Sequence, residues 1–314
     1  MDENAPACAL IALSDLDRRT LGDLLDAAES FIASDATTAH RERLSGEAVA
    51  LVFCEPSTRT RFSFELAATR LGADTLTLDE PLSSRIKGES LSETFFTLAA
   101  MGVRFFVLRH GENGIMRTLG GRLPPGTCLI SGGEGTRAHP TQGLLDAFTI
   151  RLHRPELARL TVAVVGDIAH SRVARSTITA LTQLGVGELH LVGPDAFLPA
   201  PGELPGTTTT ELASGLANAD VVIALRIQRE RMAATEFPDP LDYREHYGLN
   251  IERIERYAKP DALLLHPGPV NWGMELDAEL ADWPRSLIRE QVRNGVAVRM
   301  AVFAWLAGVP HGRA

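Results

Sequence analysis

The sequence predicts an α/β protein with two doubly wound domains, each a parallel sheet flanked by helices, and an active site in the cleft between them. Short apolar runs of strand length recur along the chain, most clearly at residues 48–53 and 160–165. Longer stretches of helical periodicity separate them, and the alternation restarts after Arg154-Pro155. Strands joined through helices pair in parallel by right-handed crossovers. Nearly every unusual polar residue follows the carboxyl end of a strand, the edge of an open parallel sheet where ligands bind.

Ser14 or Asp15 is expected to cap a first helix with apolar positions at Leu16, Leu21, Leu24, Leu25, Ala28, Phe31 and Ile32. The run 48–53 reads as a buried strand. Ser57 is placed to cap the next helix, which Phe62, Phe64, Leu66 and Ala67 begin and Leu71-Gly72 ends. A strand at 75–78 enters a polar loop at 79–90, then a helix at 91–101 and a strand at 105–108 deliver Arg109 and His110. The strand 128–130 leads through Gly132-Gly133-Glu134-Gly135 to His139-Pro140-Thr141-Gln142, which opens a helix at 143–152. Beyond Pro155, the strand 160–165 ends in Gly166-Asp167, and a helix follows at 173–184. Further strands are expected at 188–192, 221–225 and 262–265, with a connection rich in Pro, Gly and Thr at 198–210 and an irregular polar segment at 229–248. An amphipathic helix at 284–306 closes the chain. The domains are then 1–150, joined by the C-terminal helix 285–314, and 151–284.

The segment Glu55-Pro56-Ser57-Thr58-Arg59-Thr60-Arg61 puts hydroxyls and guanidinium groups in a strand-to-helix turn. Free amides and the dipole at a helix start favour an anion. Ser57, Thr58 and Thr60 add hydroxyl donors and Arg59 a bidentate grip. An ordinary capped helix with solvated charges has the same composition. The chain carries 31 basic and 40 acidic side chains, a net charge of −9. This balance argues against nucleic acid or an anionic membrane as the main partner, but not against a small anion held by clustered arginines. Cys8, Cys54 and Cys128 share no metal-ligand spacing and suggest neither a disulfide framework nor a zinc site, so a reducing compartment is expected. The start of the chain fails as a secretory signal, and no apolar run approaches the ~20 residues that span a bilayer. A cytoplasmic location follows as the expectation. Gly166-Asp167 lacks the further glycines of a dinucleotide fingerprint. Cys54 has no His or Asp at a recognisable partner spacing and reads as a buried small residue, and His110 and His170 take no catalytic role.

These motifs resemble the carbamoyltransferases, over almost the whole chain, and within them the aspartate-using branch. Ser57-Thr58-Arg59-Thr60 is similar to the family's carbamoyl-phosphate signature and His139-Pro140-Thr141-Gln142 to its second. Ser83 with Lys87, Arg109, Arg172, Arg226 with Gln228, and His266-Pro267-Gly268-Pro269 follow in the family's order. The resemblance implies transfer of the carbamoyl group of carbamoyl phosphate to the amino group of L-aspartate, an early step of pyrimidine synthesis, with no metal or organic cofactor. It implies that Ser57, Thr58, Arg59 and Thr60 hold the phosphate. Arg109, His139 and Thr60 would donate to the carbamoyl oxygen, and Gln142 would hold the carbamoyl nitrogen. Arg172, Arg226 and Gln228 would clamp the two carboxylates, with backbone carbonyls near Pro267 and Gly268 at the amino end. The implied catalytic group is Arg59, Thr60, Lys87, Arg109 and His139. Ser83 and Lys87 would reach into the neighbouring subunit of a homotrimer, and a regulatory chain or dihydroorotase partner stays open. The sequence departs from the family pattern at Arg104, Gly111, Glu134 and Trp272. A generic phosphate-binding module would explain the first motif and leave the second domain's arginines idle, and two nearer rivals stand beside the aspartate reading. One is an ornithine-using carbamoyltransferase, which His266-Pro267-Gly268-Pro269 and Arg226-Ile227-Gln228 disfavour. The other is a non-catalytic paralogue acting as an assembly subunit.

Overall fold

The computed structural model describes residues 8–33, 40–79, 89–227 and 239–308. They fall into two compact units, one within 1–144 and 293–314 and the other within 145–292.

The first unit holds β1 (Ala9–Leu10), α1 (Arg18–Ala33), β2 (Ala48–Phe53), α2 (Thr58–Leu71), β3 (Asp74–Asp79), α3 (Leu91–Ala100), β4 (Val103–His110), α4 (Ile115–Gly120) and β5 (Cys128–Glu134). Helix α5 (Pro140–His153) begins in it. The strands form one parallel sheet in the order β1-β5-β4-β2-β3. Successive side chains on β4 point to opposite faces. Phe106 therefore stacks on Phe95 of α3, with ring centroids 4.7 Å apart, while Phe105 meets Phe303 edge-on at 5.8 Å. Phe303 also meets Phe64 of α2 at 5.9 Å, so the far end of the chain covers this second face. Helix α2 ends at Gly72, whose φ of +90° and close approach to the Arg41 carbonyl leave no room for a Cβ.

The second unit holds β6 (Thr161–Val165), α6 (Arg172–Leu184), β7 (Glu188–Val192), β8 (Thr207–Thr209), α7 (Leu212–Leu216), β9 (Val221–Ala224), α8 (Pro240–Tyr247), α9 (Ile251–Tyr257) and β10 (Leu263–Leu265). Helix α10 (Ile288–Leu306) begins here and ends in the first unit. The sheet order is β10-β9-β6-β7-β8, again parallel. Ala163, Val165, Val222, Ala224 and Leu264 on one face pack with Leu216 of α7, Ile254 of α9 and Trp283.

Several sequence-based expectations need correction. The cap of α1 is Asp17, whose Oδ1 accepts the Thr20 N–H at 2.7 Å, because Leu13–Asp15 form a 3₁₀ turn instead. Hydrogen bonds from the Thr20 backbone and then its side chain hold the Asp17 carboxyl below its usual range. The connection at 198–210 contains β8, a three-residue sheet edge whose threonines carry no apolar signature. Within the segment read as irregular, α8 forms because Asp239 accepts the N–H groups of Leu241 and Asp242 at 2.8 and 3.3 Å, with proline in the first turn. Helix α10 starts at Ile288 rather than 284, after a turn in which Ser286 N–H bonds the Trp283 carbonyl. Strand β1 and helices α4, α7 and α9 had no counterpart in the sequence-based reading.

The cysteines correct a further expectation. The register Ala9↔Leu129 sets Cys8 beside Cys128, with Cα atoms 4.7 Å apart, and the two form a disulfide. A separation of 120 residues gives no motif spacing, whereas parallel strand pairing supplies the proximity. Cys54 takes no part in the disulfide and is half-buried rather than fully buried. Among the described residues no helix is long and apolar enough to cross a membrane.

Candidate active site

Both sheets reverse their winding direction beside a central strand. In the first unit β3 lies on one side of β2 and β4 on the other; in the second β7 lies on one side of β6 and β9 on the other. Crevices for ligands open at the carboxyl ends of such strand pairs.

At the first switch point Phe53 stands opposite Arg109, and the Cys54 N–H donates to the Arg109 carbonyl at 2.9 Å. The turn after β2 and the Arg109 side chain therefore leave the sheet side by side. Ser57 occupies the N-cap position of α2, but its hydroxyl makes no cap hydrogen bond. The opening amides of α2, which have no acceptor within the helix, are left for another partner. Thr58 and Arg59 are exposed and Thr60 is buried. Thr60 Oγ1 lies 3.4 Å from Nε2 of His139, a buried residue just before α5. The His139 carbonyl accepts the Gln142 N–H at 2.9 Å, so this pair forms one turn at the helix start. Arg109 Nη1 donates to the Gly132 carbonyl at 3.1 Å, and its Nε faces Glu55 Oε2 at 3.5 Å. Glu134 is turned away from this chemistry, for its Oε1 accepts the Met116 N–H at 3.0 Å and anchors the start of α4. Arg104 pairs with Glu47 at 2.6 Å.

In the second unit Val165 is level with Ala224, and Ile223 with Leu265. Residues 166–172, Arg226 and residues 266–268 consequently emerge along one sheet edge. Arg172 is buried at the first position of α6, where the Ser171 hydroxyl caps the Ala174 N–H at 3.1 Å. Arg226 is partly buried two residues beyond β9, and Pro267 and Gly268 are partly buried beyond β10. Gly166 has φ of +124°, and a Cβ there would stand 2.9 Å from the Leu225 carbonyl oxygen, so the β6 turn admits only glycine. Asp167 accepts the His170 N–H at 3.2 Å and lies 2.7 Å from His170 Nδ1, which fixes the turn before Arg172. Tyr243 of α8 is fully buried. Burial first, then the Glu275 and Asp167 carboxylates and Tyr247, push its phenol far above the usual range, so it keeps its proton.

The structure thus gathers Ser57, Thr58, Arg59, Thr60, Arg109, His139 and Gln142 at one switch point, and Arg172, Arg226, Pro267 and Gly268 at the other. Ser83, Lys87 and Gln228 lie outside the described residues. Glu55, Asp167, Glu275 and Gln291 escaped the sequence-based selection. Of these Glu55 had a signal in its place within the strand-to-helix segment 55–61, and Asp167 in its place directly after the glycine that ends a strand.

The fold, with hydroxyl, imidazole and guanidinium groups at its switch points, has the build of an α/β transferase. The profile described as aspartate/ornithine carbamoyltransferase, carbamoyl-P binding domain, matches residues 9–152, and that of the Asp/Orn binding domain matches residues 158–306. The chain belongs to the aspartate/ornithine carbamoyltransferase family. Among solved structures it is similar to aspartate transcarbamoylase from Trypanosoma cruzi in complex with carbamoyl aspartate and phosphate, with 25% identity, 95% of each chain covered and a TM-score of 0.82. The same enzyme in complex with N-(phosphonacetyl)-L-aspartic acid gives 25% identity, 95% of each chain and a TM-score of 0.84. Ornithine carbamoyltransferase from Pyrococcus furiosus is as similar, with 25% identity, 96% of this chain and 98% of that one covered, and a TM-score of 0.84.

Proposed function

We propose that the chain is an aspartate carbamoyltransferase, with the first unit taking carbamoyl phosphate and the second L-aspartate. What carries this proposal is the presence of two arginines, Arg172 and Arg226, at the second switch point, since planar guanidinium forks suit a dicarboxylate. The complexes of the Trypanosoma cruzi relative support it. Ser57, Thr58, Arg59 and Thr60 hold the phosphate at the start of α2. Thr60, His139 and Arg109 donate to the carbamoyl oxygen, and Gln142 holds the carbamoyl nitrogen. The uncharged amino group of aspartate attacks the carbamoyl carbon. A tetrahedral intermediate forms, the C–O bond to phosphate breaks, and the amine proton leaves on a phosphate oxygen. Holding both substrates in near-attack geometry is worth roughly 7–11 kcal/mol, which suits a site built from anion donors. Formation of N-carbamoyl-L-aspartate for pyrimidine synthesis, in the cytoplasm, belongs to the same proposal.

Assay of the purified chain with each amino acid is the direct test. Turnover of L-ornithine with none of L-aspartate would transfer the assignment to the other branch. Arg226→Ala is expected to raise the KM for aspartate at least tenfold while the Kd for carbamoyl phosphate, measured by calorimetry, stays at the wild-type value. Equal losses for both substrates would contradict the division of labour.

A homotrimer with shared sites is part of this proposal. Strand β3 is a sheet edge, and Leu76 on it is 47% exposed, with Phe62 and Leu66 one turn apart on α2 at 55% and 43%. An apolar edge of this kind favours association with a second copy. Mixing inactive Lys87→Ala and Arg59→Ala chains is expected to restore activity in hybrid trimers. Verified hybrids without activity would rule out sites completed by a neighbour's Lys87.

A further inference from the structure

The turn after β10 contains a buried polar lock. His266 and Glu275 are 1% and 2% exposed. Three side chains engage the amides of residues 266–271. Gln291 Oε1 accepts the His266 N–H at 2.9 Å, His266 Nδ1 accepts the Gly268 N–H at 2.8 Å, and Glu275 Oε1 accepts the Asn271 N–H at 2.6 Å. Gln291 Nε2 in turn donates to Asp146 Oδ1 at 2.8 Å, which ties the turn to α5.

Because Nδ1 of His266 accepts a hydrogen bond, the ring proton sits on Nε2, which lies 3.4 Å from Glu275 Oε1, an electrostatic contact outside hydrogen-bond geometry. A proton on Nδ1 would confront the Gly268 N–H. Among the described residues Glu275 Oε2 is buried and accepts no hydrogen bond. An interior carboxylate with an unsatisfied oxygen lowers stability, so the lock exchanges stability for geometry. The carbonyls of Pro267 and Gly268 accept no hydrogen bond among the described residues and are available to a ligand.

We propose that Glu275 is a positioning residue for the transfer site. It holds His266 as the neutral ring protonated on Nε2. Through that ring and its own Oε1 it fixes the Gly268 and Asn271 amides, so that the carbonyls of Pro267 and Gly268 stand ready for the amino end of the ligand. The ligand in this inference rests on the carbamoyl-transfer proposal; the tautomer and the held amides do not.

The test combines ¹⁵N NMR of histidine-labelled protein with steady-state kinetics of Glu275→Leu and Glu275→Gln. The wild-type His266 is expected to give one tautomer, with Nδ1 unprotonated. Glu275→Leu is expected to mix tautomers and to lower kcat up to about 100-fold, while carbamoyl phosphate binds with unchanged Kd and cooperative unfolding persists. Glu275→Gln, which keeps an acceptor, is expected to restore the single tautomer and recover at least tenfold in kcat over Glu275→Leu. A single tautomer with wild-type kcat in Glu275→Leu overturns the inference, as does loss of carbamoyl phosphate binding together with cooperative unfolding. A wild-type protein that carbamoylates no amino acid refutes the functional proposal instead, and the tautomer comparison then still decides whether Glu275 sets the His266 ring.

Discussion

Arg109→Ala is expected to lower kcat by about 10²–10³-fold, equivalent to about 3–4 kcal/mol of transition-state stabilisation. The guanidinium leaves β4 at the first switch point and is held in orientation by the Gly132 carbonyl at 3.1 Å and the Glu55 carboxylate at 3.5 Å. A donor fixed in advance strengthens its contact as charge grows on the carbamoyl oxygen, so the loss falls on kcat more than on KM. The fold should survive, since both tethers are local to the ends of neighbouring strands. Arg109→Lys keeps the charge but not the fork, and is expected to recover only part of the rate. Rates at saturating concentrations of both substrates provide the check. A loss confined to the KM for carbamoyl phosphate would make Arg109 a ground-state phosphate ligand.

The fold was legible where burial is continuous. The apolar runs in β2 and β6 are buried almost throughout, as strands covered on both faces must be, and their spacing by helices implied parallel pairing. The ends of these strands marked the candidate residues, because hydroxyls and arginines are conspicuous beside such runs. Short edge strands escaped for the opposite reason. In β1 two residues give no period, and the threonines of β8 are exposed or half-exposed. Helix α8 escaped because its burial rests on Tyr243 while Leu241 points outward, which erases the amphipathic pattern. The approach of Thr60 to His139 spans 79 residues and depends on strand register, which no local pattern encodes. Glu275 has the same difficulty, since in sequence it is one glutamate among many and only packing reveals it as buried.

Opening the Cys8–Cys128 disulfide is expected to destabilise the first unit by about 2–5 kcal/mol and to leave the second unit unchanged. The bridge closes a loop of 120 residues, all within the first unit, so its removal returns much conformational freedom to the unfolded chain. Two features temper the loss. The Leu129 N–H still donates to the Cys8 carbonyl at 3.0 Å, which keeps β1 on the sheet. Both sulfurs also lie near the Leu306 carbonyl oxygen, at 3.4 and 3.7 Å, so a thiol S–H formed on reduction has an acceptor at hand. A two-unit chain has no single unfolding midpoint, and each unit needs its own probe. Trp305 lies in the first unit, and Trp272 and Trp283 lie in the second. With those two replaced by Phe, selective tryptophan fluorescence follows the first unit alone. Denaturation of oxidised protein, reduced protein and Cys8→Ala should give a lower midpoint for the last two, with Cys8→Ala indifferent to reductant. Equal midpoints for oxidised and reduced protein would mean that β1 is held by its backbone pairing and packing alone.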